Sequence, residues 1–302
     1  FLYLALKEVD YEVALNAVRG TNLMGLTGCS FIFALTITLR SIRWRLIAGR
    51  AWGDQMNFSR ATSLGYLMNL LLPLRAGELI RTALVARLCQ IRFPVAATSL
   101  VIDRFFDLAV TLFCAGLLFS LALTEELKMT IMVMGGALLV LTVGMILFLR
   151  LTHDEHPMAP AINRIAERVT GRFPGLWNTV RHELRVITEG KIGMRICLLV
   201  AAIMLADYLV IYLLLSSFHL SLTWEIPLIF WVALALGGTL PSAPGYIGVY
   251  QLAAVWSLSF FDIPSSIAVA TATVFQFVLL VTTAILAAMT FVLANEQESR
   301  SD

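Results

Sequence analysis

Leu72-Pro73-Leu74-Arg75-Ala76-Gly77 interrupts an apolar segment, and this interruption decides how the rest of the chain is interpreted. A second interruption, Leu240-Pro241-Ser242-Ala243-Pro244-Gly245, lies 168 residues later with the same Leu-Pro and Gly spacing. Proline removes a backbone donor and stops a helix, whereas glycine permits the turn from which the next helix begins. The sequence therefore predicts two broken helix pairs. Their predicted hinges are Pro73, Gly77, Pro241, Pro244 and Gly245.

The composition places these interruptions in a membrane protein. Hydrophobic residues make up 59% of the 302 residues and charged residues 14%, against roughly 45–50% and 25% in soluble chains. If this chain folded in water, it would have too few polar residues to cover its apolar core. The net charge of +2 gives no reason to expect a nucleic-acid partner.

Several uninterrupted stretches are long and apolar enough to cross the hydrocarbon, which takes about 20 residues. The predicted crossings are Asn22–Leu39, Val95–Ala122, Met129–Leu149, Ile196–Ser217 and Ile263–Ala294. Phe1–Leu6 reads as the end of another membrane helix. The predicted fold class is therefore an all-α polytopic membrane protein with about six full crossings.

The distribution of basic residues predicts the orientation. Arg40–Arg92 holds nine basic residues against two acids, and Arg150–Arg195 holds eight against five. Thr124–Lys128 holds two acids and one lysine. Because basic loops remain in the cytoplasm, we expect the two basic stretches and the C-terminus on that side of the cell membrane. Each broken pair then enters and leaves on one side, the first from the cytoplasm and the second from outside.

The recurrence of the interruption predicts an inverted repeat within one integral-membrane domain, residues 1–302. Three membrane crossings separate corresponding points of the two halves. Because this number is odd, we expect the second half to be inverted in the membrane relative to the first. Between Ala159 and Gly190, apolar residues recur at near-helical spacing with arginines on other faces, as in helices lying on a membrane surface. The predicted parts are a first half-repeat at 20–122, an extra crossing at 123–150, cytoplasmic amphipathic helices at 151–189 and an inverted second half-repeat at 190–294.

The first interruption carries charges that are candidates for binding a lipid headgroup. Arg75 lies beside the predicted start of the second half-helix, and Glu78 and Arg81 are three residues apart on one face, where they can pair. A structural ion pair is the alternative. A basic and aromatic cluster at a helix end contains Arg40, Arg43, Trp44 and Arg45, a pattern more typical of a topology anchor than of a lipid site.

Asp103, Arg104 and Asp107 lie well inside a predicted crossing, so they must face protein or a wet cavity. Asp103 and Asp107 share a helix face and need a cation, which Arg75, Arg81 or Arg104 could supply. A buried structural network and a headgroup site both remain open. Asp207 is the lone charge of its helix and is a candidate for ion coupling, with a structural carboxyl as the alternative.

The second interruption offers uncharged polar groups instead. Tyr246, Tyr250 and Gln251 follow Pro244 and Gly245. These side chains either guide a headgroup or satisfy backbone groups exposed at the break. No motif for a cofactor is present, and His153 and His156 lie in a loop where metal binding is not expected.

These motifs together resemble a known family. Gly65–Arg81, GYLMNLLLPLRAGELIR, is similar to the membrane region of lysylphosphatidylglycerol synthases (multiple peptide resistance factor) and of the wider flippase-like family. Asp103-Arg104-Phe105-Phe106-Asp107 resembles its acidic-Arg-x-x-Asp signature, with Asp where Glu is more usual. Leu240–Gly248, LPSAPGYIG, resembles its second signature, and Arg43-Trp44 fits its Arg-Trp pair.

The resemblance implies a transporter that moves phospholipids, such as aminoacylated ones, or polyprenyl-linked lipids between leaflets. It gives no basis for predicting synthase activity. A lipid-modifying enzyme that uses Asp103 and Asp107 as a metal or acid–base pair is the alternative, and a non-catalytic partner subunit is a third. The expected partners are membrane lipids, with a second copy of the chain as a further candidate.

Overall fold

The computed structural model describes residues 2–6, 9–121, 190–239 and 243–301. Most of these residues are helical, and no β-strand lies among them. The predicted crossing at Met129–Leu149, the predicted surface helices at 151–189 and the hinge Pro241 lie outside the described residues.

Ten α-helices are described, and they fall into two groups on either side of residues 122–189. The first group is α1 (Leu2–Leu6), α2 (Tyr11–Arg19), α3 (Leu23–Ile47), α4 (Gln55–Leu71), α5 (Ala76–Leu88) and α6 (Phe93–Leu121). The second is α7 (Gly190–Ser217), α8 (Glu225–Gly237), α9 (Val249–Ser259) and α10 (Ser265–Ser301). Short 3₁₀ turns at Pro73–Arg75 and Pro244–Tyr246 separate α4 from α5 and α8 from α9.

Helix lengths divide the described residues into membrane spans and shorter pieces. Three helices are long and apolar enough to cross a membrane, over Leu23–Ile47, Lys191–Ser217 and Ser265–Leu293. Helix α6 has 29 residues but carries three charges in its first half. The four helices of the broken pairs have 11 to 17 residues, fewer than the roughly 20 that a span requires.

The first break is made by the residues after Pro73. Helix α4 ends at Leu71, and Leu74 and Arg75 adopt positive φ angles of 57° and 55° before α5 begins. The prediction that Gly77 provides the turn is therefore wrong, because Gly77 already lies inside α5. At the second break, Gly245 and Tyr246 have the positive φ angles, 70° and 59°, so Gly245 does lie at the turn as predicted.

Gly77 has a different role, which is to let α4 and α5 pack closely. A Cβ atom at Gly77 would overlap the carbonyl oxygen of Gly65 and the amide of Asn69. On the facing helix, a Cβ atom at Gly65 would press on the side chain of Arg81. The two glycines therefore allow α4 and α5 to approach each other closely. The absence of a side chain at Gly65 also leaves space for the side chain of Arg81.

The element order of the first group recurs in the second. Long helix, broken pair and long helix follow in both, and the positive-φ pairs are 171 residues apart. The Leu-Pro motifs are 168 residues apart, so the repeat offset that they predict differs by three residues from the offset of the backbone breaks. Contacts recur too, because α4 packs on α10 as α8 packs on α6. The 3₁₀ turns of the two breaks touch each other.

Helices α3 and α7 form the most extensive contact between the groups and run antiparallel. The Asn22 amide at the start of α3 donates to the Ser217 carbonyl at the end of α7, at 2.9 Å. At the opposite end, Ile47 and Ile196 share one apolar cluster. A Cβ atom at Gly25 would overlap the Ser217 hydroxyl, so the glycine allows α3 and α7 to pack closely at this end.

Candidate functional site

A cavity of about 570 Å³ opens between the two broken pairs. Helices α3, α6, α7, α8 and α10 contribute to its walls, and residues of both breaks line it. One region is polar, with charged side chains from four helices and the 3₁₀ turn of the first break, and much of the remaining wall is aliphatic. The cavity-lining charged residues are Arg40, Arg43, Arg75, Glu78, Arg104, Asp107 and Asp207.

One ion pair, at the back of the polar region, is fully buried. Arg43 Nε is 2.7 Å from Asp103 Oδ1, and each side chain is only 1% exposed. Arg43 Nη2 also reaches the Asp103 carbonyl oxygen and Asp107 Oδ1, at 3.3 and 2.7 Å. The cation that the two aspartates need therefore comes mainly from α3, which the sequence argument did not consider.

The basic and aromatic cluster that contains Arg43 faces the protein interior. Trp44 is fully buried and donates its indole N–H to Ser99 Oγ at 3.0 Å. Arg40 pairs with carboxylates of α6 and α7. The interpretation of this cluster as a topology anchor is thus wrong for Arg40, Arg43 and Trp44.

Arg81 is part of the buried layer and does not line the cavity. Its Nε is 2.8 Å from Glu78 Oε2, which confirms the predicted pairing, and its Nη2 is 4.0 Å from Asp103 Oδ2. The guanidinium lies 4.9 Å from the ring centre of Trp44 and 6.0 Å from that of Tyr66. Its position suits a structural cation better than a headgroup ligand.

Asp107 is the centre of the layer that faces the cavity. Its carboxylate is 2.6 Å from Arg40 Nη1, 2.7 Å from Arg43 Nη2 and 2.9 Å from Arg104 Nη1. Arg104 is 31% exposed and also reaches Glu78, at 3.6 Å. Among the ion-paired side chains of this layer, that of Arg104 is therefore the most exposed.

Arg40 joins this layer to the second group of helices, and sequence analysis missed its role. Its Nη2 is 2.6 Å from Asp207 Oδ2, so one guanidinium bridges Asp107 and Asp207. This ion pair connects the two groups of helices. The three-residue spacing of Arg40 and Arg43 was the available signal, since it puts both on one helix face.

Arg75 differs from the other arginines of the cavity. Within the described part of the chain it has no ion pair, and its Nε is buried without a hydrogen-bond partner. The guanidinium lies 6.0 Å from the ring centre of Tyr246. A Cβ atom at Gly238 would come within 3.3 Å of Arg75 Nη2, so this cation occupies the place where the two breaks meet.

The second break contributes an aromatic stack and an amide network. Tyr246 and Tyr250 stack at 4.8 Å, and Tyr250 stacks on Phe275 at 6.3 Å. Tyr246 and Tyr250 line the cavity.

Gln251 is buried and does not line the cavity. Its Oε1 accepts the Gly248 amide at 2.7 Å, and its Nε2 donates to Gln276 Oε1 at 2.6 Å. Gln276 in turn donates to the Gly245 carbonyl at 2.7 Å. For Gln251 the alternative of satisfying exposed backbone is the correct one. Gln276 was missed, although it is the one amide in the charge-free stretch Ile263–Ala294.

The structure thus separates the predicted site residues into two sets. The cavity brings together Arg43, Arg75, Glu78, Arg104, Asp107, Asp207, Tyr246 and Tyr250. Arg81, Asp103 and Gln251 stand behind its wall. In the described ranges, no group of His, Cys, Asp or Glu side chains has an arrangement that could hold a metal ion.

Comparison with known proteins assigns the family. No curated protein and no solved structure matches the chain. A protein-family model described as the lysylphosphatidylglycerol synthase TM region matches residues 1–287. The match covers almost the entire sequence and includes both breaks and every charged residue of the cavity. The chain therefore belongs to the family of the lysylphosphatidylglycerol synthase transmembrane region, a family of membrane proteins involved in lipid handling.

Proposed function

We propose that this protein moves a phospholipid headgroup across the bilayer as a flippase or scramblase. The observation that carries the proposal is the cavity that both broken helix pairs line, with charged side chains at one region and aliphatic walls elsewhere. A headgroup needs a polar path through the hydrocarbon, while its acyl tails remain in lipid. Paired guanidinium and carboxylate groups provide such a path by exchanging partners with the headgroup.

The proposal includes an inverted repeat with two re-entrant pairs. The antiparallel course of α3 and α7 supports it, because corresponding helices of inverted halves run in opposite directions. The equivalent contacts of α4 with α10 and of α8 with α6 also support it. Irregular backbone is tolerated at membrane depth where it lines a cavity, and transport sites lie near the midplane where such repeats meet.

Asp207 is the proposed site of ion coupling. It receives one guanidinium, that of Arg40, whereas Asp107 receives three. A buried carboxylate that loses its cation is costly, so separation of Arg40 from Asp207 favours uptake of a proton by Asp207. The charges that face Asp207 are Arg40, Arg43 and Asp107, all in the other group of helices.

The arrangement of Asp103 and Asp107 does not favour the alternative of a lipid-modifying enzyme. Arg43 contacts both carboxylates at 2.7 Å, and Arg40 and Arg104 contact Asp107. Guanidinium groups contact three of the four carboxylate oxygens, Asp103 Oδ1 and both oxygens of Asp107, that a metal or a proton in transfer would use. The transport test below also distinguishes the enzyme, because transport leaves the mass of every lipid unchanged.

The test is translocation of lipids with defined headgroups in proteoliposomes. We expect the wild-type protein to exceed empty vesicles, and Arg104→Gln to reduce the rate roughly tenfold, since charge-assisted hydrogen bonds contribute about 1.5–3 kcal/mol. Arg87→Gln is the matched control, because Arg87 is exposed on α5. Equal rates for wild type, Arg104→Gln and empty vesicles would refute the proposal, and lipids of altered mass would support the enzyme.

A further inference from the structure

Among the described residues, the positive charges around the cavity outnumber the negative charges by one, and one arginine accounts for the difference. Within the described ranges, the ion-paired cluster and the neighbouring Arg75 together contain five arginines, Arg40, Arg43, Arg75, Arg81 and Arg104, and four carboxylates, Glu78, Asp103, Asp107 and Asp207. Their formal charge is therefore +1. Four of the arginines are ion-paired, and Arg75 alone among these five has no ion pair within the described residues.

Arg75 is also positioned to receive a ligand. Its guanidinium lines the cavity at the junction of the two breaks, and its Nε has no hydrogen-bond partner although it is buried. An unsatisfied donor and an unpaired charge in a protein interior are costly unless an anion compensates them. Among the described residues, the cluster therefore lacks one negative charge, and Arg75 Nε lacks an acceptor.

Resting on the proposed function, we infer that the substrate is a phosphodiester lipid with a single negative charge and no amine in its headgroup. One phosphodiester oxygen accepts from Arg75 and makes the cluster neutral. A terminal phosphomonoester carries about −1.5 to −2 at pH 7, and a diphosphate carries more, so either leaves an uncompensated negative charge. An amine would compete with the arginines that already pair with each of the four carboxylates.

The inference thus reduces the number of substrates that the family resemblance leaves open. It favours anionic glycerophospholipids over polyprenyl phosphates and diphosphates. It also predicts weaker binding of aminoacylated and ethanolamine headgroups. Their amines need a carboxylate, and among the described residues each carboxylate of the cluster is already paired with an arginine.

Lipid binding to the purified full chain in detergent, measured by native mass spectrometry, tests the inference. The probes are phosphatidylglycerol, phosphatidylethanolamine, lysylphosphatidylglycerol, phosphatidic acid and a polyprenyl diphosphate. Glycerophosphoglycerol, which has no tails, distinguishes a lipid site from one for soluble phosphodiesters. We expect phosphatidylglycerol to be retained best, and Arg75→Gln to weaken its retention roughly tenfold to a hundredfold.

Control variants keep the result interpretable. Arg75→Lys preserves the charge and should restore part of the binding, while Arg87→Gln should bind as the wild type does. Retention of phosphatidic acid, the diphosphate or an amine-bearing lipid equal to that of phosphatidylglycerol would overturn the inference, as would unchanged binding in Arg75→Gln. Vesicle translocation with the same preparation separates the two proposals: transport without this preference refutes the inference alone, and preference without transport refutes the proposed function.

Discussion

At the scale of single residues, the cavity depends on guanidinium groups held by carboxylates from other helices. Arg43 and Asp103 are each 1% exposed and hydrogen-bonded to one another. Breaking such a pair leaves one charge buried and unpaired, and this costs about 3–5 kcal/mol.

We therefore expect Arg43→Gln to lower the free energy of unfolding by about 3–5 kcal/mol. Denaturant unfolding in mixed micelles measures this change, with exposed Arg87→Gln as the control. Adding Asp103→Asn to Arg43→Gln removes the unpaired charge and should recover part of the loss. A single variant as stable as its control would contradict the buried position of this pair.

Asp207 provides a second prediction, which concerns pH. Protonation of Asp207 and the substitution Asp207→Asn both remove the carboxylate that holds Arg40. We expect wild-type translocation to be faster at about pH 5 than at about pH 8, because the proton releases the bridge at low pH. Asp207→Asn should translocate at about pH 8 as the wild type does at about pH 5.

Vesicle assays across that pH range provide the measurement. Replacing an exposed acid near a helix end, as in Asp262→Asn, is the control and should leave the wild-type profile intact. The same pH profile in Asp207→Asn and wild type would exclude Asp207 as the coupling site.

At the scale of elements, two glycines make the α4–α5 hairpin possible. We expect Gly77→Ala to destabilise the protein by about 1–3 kcal/mol, because its Cβ atom would overlap Gly65 and the helices must separate. Gly116→Ala is the matched control, since nothing lies within 4 Å of a Cβ atom at Gly116 in α6. There alanine should stabilise the helix by about 0.5–1 kcal/mol. Effects of the same sign in both variants would contradict the close contact.

The elements also show what the sequence could predict and where it failed. Helices α3, α7 and α10 follow from apolar length, and the two breaks follow from proline and glycine. The assignment of the turn to Gly77 failed because Leu74 and Arg75 take positive φ angles, for which these residue types give no signal. Gln251 could be recognised as polar, but its partner Gln276 depends on how α9 packs against α10.

Partner choice in the charged cluster was predicted only where it is local. The Glu78–Arg81 pair follows from spacing along one helix. The Arg43–Asp103 and Arg40–Asp207 pairs join residues 60 and 167 positions apart, so they depend on the tertiary arrangement of α3, α6 and α7.

At the scale of the whole molecule, the inverted arrangement predicts opposite exposure of two loops. The loop at Gly53 follows α3, and the loop at His219 follows α7. We expect Gly53→Cys to react with an impermeant maleimide only from the cytoplasmic side, and His219→Cys only from outside. Both loops are open in the fold, because Gly53 and His219 are exposed.

Labelling of intact cells and of inverted vesicles measures this exposure, in a Cys197→Ser background because Cys197 is the exposed native thiol among the described residues. The Cys197→Ser parent without a new cysteine is the control for background labelling. Labelling of both loops from one side would refute the inversion and, with it, the proposed path through the bilayer.

The tight contact between α3 and α7 has a mechanical consequence. Gly25 packs directly on Ser217, and Cys29 Sγ lies 3.5 Å from the Val210 carbonyl oxygen. Backbones this close cannot slide past one another without collisions between side chains. If the cavity opens alternately to the two leaflets, we therefore expect the two groups of helices to tilt about this contact and not to slide along it.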